Sequence, residues 1–259
     1  MPLPMVHLAV AVRLYEAQGV LPPSGFLLGS LAPDAIHARP GTQRADKDVT
    51  HLLPGGDRQE FLARVRVFGE RAGLSLERDS PQTSQEISPQ TSQETSPQTW
   101  PQTSPETEES EAGVTASVCS RAFAAGYLAH VLTDALWGLK VYSRFRQAMG
   151  PDMALEDRRT LYYRETEKVD FALHSGEPWV DAVWDRLREA RACSVADLLT
   201  DKEVLDWQQH ILGWFGTHSE PAAEPEWITE QGVRTFVCEC ADALARQARE
   251  WSLDITPAE

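Results

Sequence analysis

Residues 126–138 read "GYLAHVLTDALWG". Apolar or small residues occupy nearly every position, and with Phe123 upstream they predict a helix over 117–137 that is buried on all sides. His130 and Asp134 interrupt it, four residues apart. On a helix this spacing puts both side chains on one face, about 6 Å apart along the axis. A carboxylate in such a place must be paired, hydrogen-bonded or bound to a metal. Two readings are open: a hydrogen-bonded His–Asp pair inside the core, or two ligands of one divalent ion.

Helical patterning extends outward in both directions. Residues 5–18 place Val6, Val10, Leu14 and Ala17 on one face. "FLLGSLAPDAIHARPG" reads as a short apolar helix in which Asp34 follows Pro33 near a bend. "RADKDVTHLLPGGDRQ" reads as loop, and 58–73 as a helix ended by Gly73. After 138, where Gly138 predicts a break, helices are expected over 153–175 and 177–192. One or two more are expected across "SVADLLTDKEVLDWQQHILGWF", with Ser194 as N-cap, and a last one over 229–251. Strand-like alternation is scarce. The class is all-α, a multi-helix bundle with the candidate site among its central helices.

The 259 residues are read as a single domain, 1–259, carrying an insertion at 80–112. The octamers "SPQTSQEI", "SPQTSQET" and "SPQTWPQT" repeat there, followed by "SPETEE". Ile87 and Trp100 are the only large apolar residues of the repeat, too few to offset the entropy of ordering it. The net charge of −15 argues against binding duplex nucleic acid. No apolar run is long enough for a membrane span. The apolar N-terminus lacks a basic region ahead of it and is broken by Arg13 and Glu16, unlike a secretory signal. Cys119, Cys193, Cys238 and Cys240 have no zinc-finger spacing and are expected to be reduced core residues of a cytoplasmic protein.

Ligand-type residues recur along the chain in a particular order: His7 in the first helix, Asp34 in "LGSLAPD", His51 closing "KDVTH", then His130 and Asp134. Neutral imidazoles and carboxylates suit zinc and similar divalent ions. In this order the residues resemble the zinc-dependent phospholipase C family, which is related to fungal single-strand nucleases. Members carry an early histidine, a segment ending in Pro-Asp, a later histidine and a helix with Ala-His-x-x-x-Asp. The resemblance covers about the first 140 residues without the repeat. It implies an all-helical fold with one to three zinc ions and hydrolysis of a phosphoester or phospholipid-like substrate. Asp34, His51, His130 and Asp134 would hold one metal, and His7 with Asp134 another, Asp134 bridging. Asp34 would orient or deprotonate the attacking water.

This chain departs from the family pattern at position 140, where Lys stands in place of another histidine. A later His-x-x-x-Glu/Asp pair is also missing. "YYRETEKVDFALH" instead aligns Tyr163, Glu167, Asp170 and His174 on one face. Glu167, Asp170 and His174 are therefore either candidates for a second metal or a charged outer face. The departures leave a second function open: a metal-binding relative without catalysis that acts by interaction. Helical phosphohydrolases that use a His-Asp dipeptide rank low, since the chain contains no such dipeptide.

Overall fold

The computed structural model describes residues 3–53, 58–74 and 120–250. The 80–112 insertion and Cys119 lie outside them. Among the described residues the architecture is all-α, with no strand and one isolated bridge, Val195 to Leu199. The helices are α1 (Pro4–Glu16), α2 (Ser24–Gly29), α3 (Arg44–Thr50), α4 (Arg58–Arg71), α5 (Arg121–Trp137), α6 (Ser143–Met149), α7 (Leu155–Gly176), α8 (Val180–Glu189), α9 (Asp201–Thr217) and α10 (Glu230–Glu250). A 3-10 segment, Ala32–Ala38, follows α2. No described helix is long and apolar enough to cross a membrane.

The centre of the bundle is α5. Ser120 caps it, its hydroxyl accepting from the Phe123 amide at 3.1 Å. The helix is buried on nearly every side, Phe123 to Val131 without a gap, as its composition predicts. Helices α1, α2, α4 and α10 all pack on it. The approach of α2 is the closest, because the contact is made through glycines. A Cβ built on Gly29 would lie 2.0 Å from the Phe123 carbonyl oxygen, and one on Gly126 would lie 2.1 Å from that of Phe26. The two backbones therefore touch, which fixes the 3-10 segment after α2 against the face of α5 that carries His130.

Helix α1 is more deeply buried than a one-face pattern suggests, with every residue from Met5 to Ala11 inside. It packs between α10, α5 and α7. Its own N-cap, Leu3, offers no side-chain acceptor. The capping carboxylate arrives from α7: Asp170 accepts from the Met5 amide at 3.2 and 3.3 Å. Burial raises the Asp170 pKa well above the usual carboxylate range, and the Met5 and Val6 amides only partly oppose this. Asp170 thus anchors the helix that carries His7.

Several local expectations are corrected. Residues 44–50 form helix α3 instead of loop. Asp46 Oδ2 accepts from the Gln43 amide at 2.8 Å and starts the helix. The Tyr127 hydroxyl of α5 donates to the Thr50 carbonyl and ties down its end. Leu52 (φ 55°) then stops α3 directly after His51, a left-handed conformation that costs a non-glycine residue about 1–2 kcal/mol. Gly138 does not break the chain's helical course. A π-helical turn, Gly138–Tyr142, leads straight into α6, which ends at Gly150 (φ 70°). The cap of α9 is Thr200, paired reciprocally with Glu203, while Ser194 accepts from the Asp201 amide. Cys193 is disulfide-bonded, so the expectation of reduced cysteines fails there, whereas Cys238 and Cys240 are free.

Candidate metal centre

Four elements deliver the ligand-type side chains to one place. His7 comes from α1, Asp34 from the 3-10 segment, His51 from the end of α3, and His130 and Asp134 from α5. All are buried. They form two overlapping groups in which every ligand atom lies within 4.8 Å of the others: His7, His130 and Asp134, and Asp34, His51 and His130.

The distances have a specific meaning. Two ligands each about 2.0–2.1 Å from a tetrahedral ion are about 3.3–3.4 Å from one another. His51 Nε2 lies 3.4 Å from Asp34 Oδ1, 3.4 Å from Asp134 Oδ2 and 3.3 Å from His130 Nε2. His130 Nε2 stands 3.9 Å from both Asp34 Oδ2 and Asp134 Oδ2. His7 Nε2 is 3.5 Å from Asp134 Oδ1. The two oxygens of Asp134 thus face different imidazoles.

The surroundings aim these rings. His130 Nδ1 donates to the Ser30 carbonyl at 2.8 Å, and His51 Nδ1 to the Lys47 carbonyl at 3.0 Å. Each bond fixes the tautomer that leaves an Nε2 lone pair pointing inward, the usual arrangement behind a metal-binding histidine. The His7 ring stacks on that of His130, centroids 3.8 Å apart. Burial, then the neighbouring His7, pushes the His130 pKa down to about 3, so this imidazole is neutral at physiological pH. Burial works to raise the Asp34 carboxyl. Lys47, then His51 and His130, outweigh it and hold the group well below its ordinary range. Asp134 is lowered as well, burial being overcome first by His7.

One feature separates this cluster from a self-satisfied polar core. Both oxygens of Asp134 and both ring nitrogens of His7 are fully buried and make no hydrogen bond of good geometry, the His7 Nε2 to Asp134 Oδ1 approach of 3.5 Å being at the outer limit. An ionised carboxylate left in that state costs several kcal/mol. A divalent cation would satisfy one ring nitrogen of His7 and a carboxylate oxygen of Asp134, and the donor set fits one. The geometry therefore favours a metal over the simple His–Asp hydrogen bond that spacing alone left open.

His7, Asp34, His51, His130 and Asp134 are brought together as the order of residues predicts. Glu167, Asp170 and His174 are not. Asp170 is committed to the amides of α1. His174 stacks on Phe215 at 4.0 Å and meets the edge of Trp184. Half-buried Glu167 joins no ligand group among the described residues. Lys140 turns to Glu239 of α10 at 2.5 Å. A cavity of about 240 Å³, lined by Lys140, Arg144, Phe145, Trp227 and others, involves none of the clustered ligands.

Two residues on the more exposed side of Asp34, Lys47 and His37, are not among the ligand candidates of the sequence. Lys47 Nζ donates to Asp34 Oδ1 at 2.7 Å and to His37 Nε2 at 2.8 Å. The "KDVTH" motif held the signal: Lys47 stands one turn before His51 on what is now a helix. No protein family, curated protein or solved structure matches the chain.

Proposed function

We propose that this chain is a zinc-dependent phosphoester hydrolase resembling phospholipase C. The observation that carries the reading is Asp134: a buried carboxylate without a hydrogen bond of good geometry, its two oxygens facing different imidazoles at 3.5 and 3.4 Å. His51, His130, Asp34 and Asp134 would hold one ion. His7 and Asp134 would contribute to a second, with Asp134 the bridge. Imidazole and carboxylate ligands suit zinc. A bound divalent cation supplies Lewis acidity toward a phosphoryl oxygen and makes water acidic enough to attack near neutral pH.

The chain's own contribution is geometry and a proton acceptor. Ser30 and the Lys47 carbonyl hold the two imidazoles in one tautomer. The apolar wall of α5 keeps bulk water away from the inner ligands, which strengthens every charge interaction there. Among the clustered carboxylates Asp34 is the more accessible, its side chain 10% exposed against 5% for Asp134. By resemblance to the family pattern, Asp34 is the residue assigned to orient the attacking water and take its proton. Zinc-loaded protein should hydrolyse bis(p-nitrophenyl) phosphate, and Asp34→Asn should lower kcat about 10²–10⁴-fold. No hydrolysis by the zinc-loaded, unmutated protein would reject the catalytic reading.

A second reading is favoured by one observation. Lys140 stands where the family has a further ligand and is spent on Glu239. On that reading the chain is a metal-binding relative without catalysis that works by interaction. It predicts stoichiometric metal with no turnover.

A further inference from the structure

Among the described residues, Lys47 is the only lysine or arginine ion-paired with a carboxylate of the cluster. It lies in the outer part of the site: its side chain is 18% exposed, that of neighbouring His37 44%, and those of His51 and His130 are fully buried. Two of its three N–H donors are taken, by Asp34 Oδ1 and His37 Nε2. The acceptor it uses on Asp34 is the same oxygen that stands 3.4 Å from His51 Nε2, the edge length of a metal tetrahedron. Ammonium and metal therefore compete for one atom.

We propose that Lys47 holds Asp34 only until a divalent cation takes Oδ1, and then serves as the grip for an anionic oxygen of the substrate at the exposed side of the site. This rests on the metal-dependent reading above and names the handle by which the substrate is recognised, a phosphate oxyanion. A dication at Asp34 repels the neighbouring ammonium and weakens its bond to that oxygen. The side chain is long and flexible, and its helix is held independently by the Gln43–Asp46 cap and by Tyr127 on the Thr50 carbonyl. The freed ammonium needs an anion. A phosphate bound to the metal brings one to the place where the lysine already sits. His37 Nε2 accepts from the same ammonium and keeps it on the exposed side of Asp34.

The test uses the full chain and two titrations, zinc into metal-free protein and inorganic phosphate into zinc-loaded protein. Lys47→Met should bind zinc at least as tightly as the unmutated protein, because a competing cation is gone. Its phosphate affinity should fall about tenfold or more, the size expected for losing a charge-assisted hydrogen bond. Lys47→Arg should restore phosphate binding, and both variants should melt with the unmutated protein. Phosphate affinity within about twofold of normal in Lys47→Met, or no phosphate binding by the unmutated zinc-loaded chain, overturns the proposal and leaves the metal site standing. Weaker zinc binding by Lys47→Met also overturns it, showing Lys47 to be a strut for Asp34. If the unmutated chain takes up no zinc, the metal-dependent reading fails, and this proposal with it.

Discussion

Asp134→Ala is expected to lower affinity for divalent metal by more than about 100-fold, since losing even an outer partner of a ligand costs about 10–100-fold. Asp134 faces His7 with one oxygen and His51 and His130 with the other, so its removal takes a carboxylate away from all three imidazoles. The same change should leave the metal-free protein no less stable. The carboxylate is buried without a hydrogen bond of good geometry, and deleting it relieves an unpaid desolvation cost. Gain of stability with loss of binding is what a functional site gives. A structural ion pair with His7 behaves the other way. Breaking a buried pair costs about 3–5 kcal/mol, and metal uptake would not change. Zinc titration and urea unfolding of the same variant separate the two.

Gly126→Ala should be among the most damaging single changes in the chain, although it adds one methyl group. The new Cβ would lie 2.1 Å from the Phe26 carbonyl oxygen and 2.9 Å from the Ser30 amide nitrogen. Both are backbone atoms, so relief requires α2 to move off α5. Overpacking costs about 1–3 kcal/mol when side chains can yield. Here they cannot, and a loss of about 3–5 kcal/mol is expected, at the extreme of point-mutant effects. The displaced segment includes Ser30, whose carbonyl aims His130, so zinc affinity should also fall about 10–100-fold. Gly138→Ala is the control. Its Cβ meets nothing within 4 Å, and a helical Gly→Ala change of this kind gains up to about 1 kcal/mol. Urea unfolding of both variants measures the contrast.

The fold class and the heart of the site were legible because α5 is an extreme sequence. A helix apolar on all sides has few places to go except the centre, and a carboxylate there demands a partner. His7, Asp34 and His51 could be added because their order resembles a known family pattern. What sequence did not show was set by contacts between distant segments. Asp170 and His174 share a helix face with the same one-turn spacing as His130 and Asp134. Their fates differ because α1 lacks its own cap and sits with its N-terminus on Asp170, 165 positions away. Spacing cannot see that. Residues 44–50 carry mixed charges that read as loop, and become a helix because Asp46 caps it and Tyr127 holds its end. The Ser30 and Lys47 carbonyls that aim the imidazoles are backbone groups, to which sequence is silent.

The central claim is that these five side chains are a metal centre and not a polar core. The direct measurement is the metal content of protein purified without chelator, together with anomalous diffraction from its crystals. Stoichiometric divalent metal is expected, with an anomalous peak about 2.0–2.2 Å from Nε2 of His51 and His130 and from carboxylate oxygens of Asp34 and Asp134. Substoichiometric metal after zinc loading, with Asp134 hydrogen-bonded directly to His7, would contradict that claim.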